Sequence, residues 1–260
     1  MSTDLVNEPV VLSRDGAVVT VRLNRPDKKN ALTQAMYEAM TEALAQADRS
    51  PDVRVLVITG TADSFTAGND LKDFLAAKPG EESAAFRFVR ALPAFSKPLV
   101  AAVNGLAVGV GTTMLLHCDF VYAADTARFQ LPFVSLGIVP EAASSLLLPR
   151  LAGHQAAAEL LLLGDFFDAE KARGLGIVNA VVPATALEET VRAVAGRLAA
   201  KPPGAVRATK ALMKSTASVT TLERMGEEGK VFEERLHTPE AREAMAAVLE
   251  RRPPDFSKFG

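Results

Sequence analysis

Three times along this 260-residue chain a short apolar run gives way to a Gly, Asn or Pro break and then to a helical stretch. Val18 to Leu23 alternates valines with Thr20 and Arg22 at period two, the turn Asn24-Arg25-Pro26-Asp27 follows, and Thr33 to Ala47 has helical composition with Thr33 as N-cap. Val53 to Thr59 is a buried strand ended by Gly60, and beyond a polar loop a helix starts near Leu71. Pro98 to Val103 repeats the theme, with Asn104-Gly105 as the break, an apolar helix from Val110 to His117 and a strand from Phe120 to Ala123. Strands alternating with helices predict an α/β core built in successive layers, and no short repeat suggests a solenoid.

Past Pro183 the pattern turns wholly helical: Ala186 to Ala200, a break at Lys201-Pro202-Pro203, then Ala205 to Lys214, Thr221 to Leu236 and Pro239 to Glu250. The chain thus divides into a core over residues 1–200 and a C-terminal helical region over 201–260. Helices with charged faces and little local core dock on the main body or on a neighbouring subunit, so an oligomer is expected.

Composition narrows the partners. At 48% hydrophobic the chain can bury a substantial core, and 29 Lys plus Arg against 31 Asp plus Glu give no electrostatic reason to expect nucleic acid or an acidic membrane surface. The single cysteine, Cys118, excludes an internal disulfide and a thiolate metal cluster, which fits a reducing compartment. Met1 to Val10 carries Asp4 and Glu8 with no basic region before an apolar stretch, and Lys258-Phe259-Gly260 is no peroxisomal address, so a cytoplasmic location is expected. The most apolar window, Lys97 to Leu116, is interrupted by Pro98, Asn104, Gly105, Gly109 and Gly111 and reads as soluble core rather than a membrane span.

Three segments can carry chemistry. In Ser64-Phe65-Thr66-Ala67-Gly68-Asn69-Asp70-Leu71 a loop of small residues enters a helix, and Gly68 lets the backbone approach a ligand closely; a plain loop with Asp70 capping the helix accounts for the same residues. Asn104-Gly105-Leu106-Ala107-Val108-Gly109-Val110-Gly111-Thr112-Thr113 can present backbone donors, and close helix–strand packing explains its glycines equally well. It is neither a Walker loop nor a Gly-x-Gly-x-x-Gly fingerprint. In the run Leu131 to Ser145, Glu141 is the only carboxylate between Asp125 and Glu159. Placed just after Pro140 in the first turn of a helix, it would be favoured by the macrodipole without catalytic purpose; catalysis would need burial to raise its pKa against that dipole.

Other constellations offer less. His117, His154 and His237 lack metal-ligand spacing, His117 reads as a packed residue at a helix end, and no metal is inferred. Ser144 and Ser145 lack a Gly-x-Ser-x-Gly elbow, although a serine hydrolase using His154 stays open. Arg25, Lys28 and Lys29 fit a solvated loop, and Phe232 fits an amphipathic helix.

In their order along the chain, Asn24-Arg25-Pro26 with Asn30-Ala31-Leu32, Phe65 to Leu71, Lys97-Pro98 through Asn104-Gly105, Cys118-Asp119 and Leu136 to Pro140 resemble the crotonase, or enoyl-CoA hydratase/isomerase, superfamily. The likeness covers nearly the whole chain, including Phe232 to Phe256. It implies an α/β, crotonase-like spiral of strand-strand-helix repeats with a C-terminal helical region, a homotrimer or dimer of trimers, and an acyl-CoA thioester substrate, with coenzyme A as part of the substrate and no separate cofactor. It also implies that the amides of Asn69 and Val110 hold the thioester oxygen, their side chains mattering little. CoA and acyl contacts would fall on Arg25, Lys28, Ala67, Gly68, Asp70, Leu71, Gly109, Thr113, Phe133 and Phe232.

The resemblance is broken where hydratases similar to this chain carry two glutamates, because Thr113 and Phe133 stand there. Glu141 instead matches the single acid of Δ3,Δ2-enoyl-CoA isomerases. That implies isomerisation of a 3-enoyl-CoA to a 2-enoyl-CoA by one carboxylate. Hydration or another crotonase chemistry such as hydrolysis is one alternative, and a non-catalytic acyl-CoA or protein-binding member is another.

Overall fold

The computed structural model describes residues 8–75, 83–214, 238–250 and 252–259. Among the described residues ten strands form two sheets: β1 (Val10–Asp15), β2 (Val18–Leu23), β3 (Val55–Thr59), β4 (Ser64–Thr66), β5 (Leu99–Val103), β6 (Leu106–Val108), β7 (Phe120–Ala124), β8 (Arg128–Gln130), β9 (Phe167–Asp168) and β10 (Ala180–Val182). The larger sheet runs β1-β2-β3-β5-β7-β10 and the smaller β4-β6-β8-β9. Apart from the antiparallel β1–β2 hairpin, the large sheet is parallel, with Leu56 opposite Leu99 and Val100 opposite Phe120. Each turn of the chain gives one strand to the large sheet and the next to the small one, β3 then β4, β5 then β6, β7 then β8, before a helix. This is the strand-strand-helix spiral that the sequence implied.

Alternation along the buried strands separates two cores. Leu56, Ile58, Leu99, Ala101 and Val103 point to one face, where they pack with Met36, Met40 and Leu44 of α1 (Gln34–Arg49). Val55, Val57, Val100 and Ala102 point to the other, against Leu187, Val191 and Ala195 of the helix Leu187–Ala199. Thr33 caps α1 by accepting from the Met36 N–H at 3.3 Å, as its position in the sequence predicted. Fully buried Asn30 ties the β2–α1 loop to β4: its Nδ2 donates to Ser64 O at 2.7 Å while its Oδ1 accepts from Arg25 N at 2.8 Å.

The helix Pro203–Lys214 docks on this body through a buried cation. Lys210, 5% exposed, lies 2.7 Å from Asp119 Oδ2, donates to Lys97 O at 2.5 Å and sits over the Phe95 ring. Asp119 Oδ2 also accepts from Leu99 N at 2.8 Å. The last described helix spans Pro239–Glu250; the expected helix Thr221 to Leu236 lies outside the described residues. Among the described residues no helix is long and apolar enough to cross a membrane, and no group of acidic, His and Cys side chains is arranged to hold a metal.

Candidate active site

The spiral brings the sequence-predicted segments together. β4 and β6 pair in parallel, Ser64 opposite Leu106, so the loops after them leave the same edge of the small sheet. Gly68 has φ +86°, and a Cβ there would lie 2.8 Å from the carbonyl oxygen of Val108. Only glycine accepts both that conformation and that approach. Gly109 next turns the chain into the helix Val110–Thr113, with φ +56° and its N–H donated to Gln130 O at 2.9 Å.

Among the described residues the backbone N–H groups of Asn69 and Val110 are left over, as are those of Leu71 and Gly111. Gly68 O accepts from Leu32 N at 2.8 Å; in a trans peptide the following amide points the opposite way, so the Asn69 N–H faces away from Leu32. Asp70 N is itself used, donating to Leu32 O at 2.9 Å. Gly109 O accepts from Thr112 N and Thr113 N, both at 2.9 Å, which by the same rule directs the Val110 N–H out of the start of the helix Val110–Thr113. Neither the Asn69 nor the Val110 amide has an acceptor among the described residues.

Glu141 bonds the second of these segments directly and lies within electrostatic range of Tyr37, which holds the first. Thr113, one turn along from Val110 and fully buried, donates its hydroxyl to Glu141 Oε1. Burial raises the Glu141 pKa from the ordinary carboxylate range, and the Thr113 hydrogen bond opposes part of that rise. On the other side, Tyr37 of α1 donates its phenolic hydroxyl to Asn69 Oδ1. The Tyr37 pKa is held well above its usual value by burial first and then by the charge of Glu141, so the hydroxyl is a neutral donor at any working pH.

The loop carrying Glu141 departs from the expected geometry. The helix begins at Ser144, not at Glu141, because Ala142 (φ 52°) and Ala143 (φ 54°) adopt the left-handed conformation and break the turn. The macrodipole therefore does not account for this carboxylate. Left-handed alanine costs about 1–2 kcal/mol per residue, and the surrounding bonds hold it: Glu141 O accepts from Ser144 N at 3.0 Å and Ser144 Oγ at 2.7 Å, and His117 Nε2 lies 2.8 Å from Ala142 O. His117 is thus more than packing, since it anchors the acid's loop.

The family pattern of enoyl-CoA hydratase/isomerase matches residues 13–258. The chain belongs to the enoyl-CoA hydratase/isomerase family. Enoyl-CoA delta isomerase 2 of Rattus norvegicus is 39% identical over 212 residues, covering 79% of this chain and 54% of the rat protein. The chain therefore spans about half the length of that relative. The 2,3-dehydroadipyl-CoA hydratase of Escherichia coli K12 is 34% identical over 95% of this chain and 98% of its own. A solved structure from Magnetospirillum magneticum AMB-1, provisionally named an enoyl-CoA hydratase/carnithine racemase, is 48% identical and superposes with a TM-score of 0.93 over 97% of this chain and 100% of its own.

In this hydratase/isomerase family member several residues read as substrate contacts have structural partners within the chain. Arg25 donates to Asp70 Oδ2 at 2.8 Å and to Ala31 O at 3.0 Å, which lowers the Asp70 pKa chiefly through that hydrogen bond. It is an ion-paired brace rather than a solvated loop residue. Asp70 Oδ1 caps the helix Leu71–Leu75 by accepting from Lys72 N and Asp73 N, as the plain-loop reading has it. Ala67 is half-buried with its N–H donated to Lys29 O, Lys28 and Leu71 are exposed, and Phe133 is buried. Phe232 lies outside the described residues. A cavity of about 630 Å³ lies elsewhere: it opens between the large sheet and the helix Leu187–Ala199, lined by Thr20, Val57, Thr59, Leu187 and Val191.

Tyr37 was the residue that sequence reasoning passed over. It sits on the buried stripe of α1 with Met36 and Met40, where an aromatic hydroxyl needs a buried partner; that requirement was the available signal.

Proposed function

We propose that this enzyme is an enoyl-CoA isomerase that moves the double bond of a 3-enoyl-CoA to the 2-position, with Glu141 as its only proton carrier. The carboxylate takes the proton from C2, the C2–H electron pair enters the C1–C2 bond as the carbonyl pair moves onto the thioester oxygen, giving a dienolate conjugated with C3=C4, and the same carboxyl delivers the proton to C4. Electrons return to leave the conjugated C2=C3 bond. The amides of Asn69 and Val110 donate to the oxygen as it gains charge; a donor of this kind contributes about 3–4 kcal/mol to barrier lowering. No cofactor takes part beyond the coenzyme A carried by the substrate.

The observation that supports this reading is the bracketing of Glu141. One donor segment reaches it through Thr113, and the other approaches it through Tyr37 and Asn69. Its burial suits a base, since a carboxylate of raised pKa both accepts and returns a proton efficiently near neutrality. Thr113 and Phe133 cannot carry protons as a second carboxylate would, which disfavours hydration. The E. coli relative, a hydratase matched over nearly its full length, keeps hydration as the second reading.

Product analysis tests the choice. Incubation with 3-hexenoyl-CoA is expected to give absorbance of the conjugated 2-enoyl thioester with neither free thiol nor 3-hydroxyacyl-CoA. Accumulation of the 3-hydroxy thioester from 2-hexenoyl-CoA, with no conversion of the 3-enoyl ester, would overturn it.

We also propose a homotrimer or dimer of trimers, in keeping with the exposed Val134, Leu136, Ile138 and Val139 beside the site; sedimentation of the full chain as a monomer would refute this.

A further inference from the structure

We propose that Tyr37 is a positioning residue of the site, fixing the Asn69 amide through the Asn69 side chain, so that helix α1 aims one of the two oxygen-binding donors. This rests on the reading of the Asn69 N–H as an oxyanion donor.

Three hydrogen bonds hold the Gly68–Asp70 turn to α1 and its lead-in, and they divide the task. Leu32 N to Gly68 O fixes the peptide plane that carries the Asn69 N–H, and Asp70 N to Leu32 O fixes the plane that follows. Both bonds end on Leu32, so the turn can still pivot about that one residue. The Tyr37 hydroxyl supplies a second anchor by donating to Asn69 Oδ1. The grip is stiff because its base is stiff: Tyr37 is 1% exposed, its N–H donates to Thr33 O at 3.1 Å, and its ring stands 5.7 Å from that of Phe88. A buried phenol has a strong demand for an acceptor, and Asn69 supplies the one it has among the described residues. The side chain of Asn69 therefore matters, contrary to the expectation that only its amide would.

The arrangement gives the pair a function that packing alone does not need. Tyr37 lies close enough to Glu141 for the carboxylate's charge to act on it, so the Tyr37–Asn69 bond stands near the candidate acid. A donor held within a few tenths of an ångström keeps its value in the transition state, while one that rocks loses it.

The experiment compares Tyr37→Phe, Asn69→Ala and the double variant in the full-length enzyme. Tyr37→Phe keeps the ring and its packing, and Asn69→Ala keeps the backbone N–H. Each single change is expected to lower kcat about 10-fold with KM altered less than about 2-fold, and the double variant to be no slower than either single, because both remove one shared bond. A second readout is the infrared carbonyl stretch of bound trans-2-hexenoyl-CoA carrying carbon-13 at the thioester carbonyl. The unmodified enzyme is expected to shift it to lower frequency and both variants to lose part of that shift.

Multiplicative losses in the double variant, or a kcat loss with an unchanged carbonyl shift, would assign Tyr37 a merely structural role and overturn the proposal. No carbonyl shift in the unmodified enzyme would overturn both the proposal and the oxyanion reading beneath it. A shift present in the enzyme but intact in Tyr37→Phe sinks the proposal alone. Because the spectrum does not depend on which reaction follows, absence of isomerised product leaves this test decisive.

Discussion

Replacing Thr113 with Val isolates what tunes the acid. The two side chains have nearly the same volume, and position 113 is fully buried, so the substitution deletes one hydroxyl and leaves little cavity. That hydroxyl donates to Glu141 Oε1 and favours the ionised carboxylate, partly offsetting the upward push of burial. A hydrogen bond to a charged acceptor contributes about 1.5–3 kcal/mol, and one pKa unit corresponds to about 1.4 kcal/mol. Since Glu141 is only partly enclosed and water can replace some of the lost bond, the lower end applies. The sign is fixed: without Thr113 Oγ1 the protonated form gains, and the acid side of the pH profile moves to higher pH. Measured as kcat/KM for 3-hexenoyl-CoA between pH 5 and 9, the acid-limb midpoint should rise by about one pH unit, which lowers the rate on that limb about 10-fold. The high-pH plateau should stay near that of the parent, and Thr113→Ser should restore the profile. An acid limb that stays in place or moves down would refute Glu141 as the tuned base.

The remaining expectations concern stability and approach. Burial raises the Glu141 pKa in the folded protein, so between its ordinary and raised values the native state binds more protons than the unfolded chain, and stability falls as pH rises through that window. Glu141→Gln should therefore lower kcat more than about 100-fold, yet melt at a higher temperature than the parent at pH 8 and lose that advantage at pH 4. A lower melting temperature at pH 8 would count against the buried carboxylate. Gly68→Ala forces a Cβ to 2.8 Å from Val108 O at φ +86°, so it should cost about 1–2 kcal/mol in urea unfolding and lower kcat, since it pushes the two donor loops apart. Parent-like stability and rate would show that the loops are not in contact. Lys210→Met strands the buried Asp119 carboxylate and should cost about 3 kcal/mol in the same assay; a neutral result would remove Lys210 as the anchor of its helix.

The long elements were readable because their periods survive burial. Val18 to Leu23, the stripe of α1 and the break at Lys201 to Pro203 all carry local signals that tertiary packing only confirms. The small sheet was not readable: β4, β6, β8 and β9 have two or three residues each, too few to show a period, and they exist because the spiral sets them side by side. Glu141 was picked out by its isolation among apolar residues, but its backbone was misplaced, because nothing in Pro140-Glu141-Ala142-Ala143 announces two left-handed alanines. That conformation comes from outside, from His117 and Ser144. The Tyr37–Asn69 bond joins residues 32 positions apart, which only the fold can pair.

The amides of residues 69 and 110, without acceptors among the described residues, belong to the main chain, and every amino acid except proline supplies one. Most substitutions at 110 therefore leave its amide in place, whereas a change at 69 keeps the amide but loses the Tyr37 bond. Mutation acts further on the side chains at 113, 133 and 141, where an acid can be gained, lost or moved without rebuilding the backbone. A lineage with this architecture can exchange one reaction for another in few genetic steps, and the residues that differ among its members mark where the chemistry diverges.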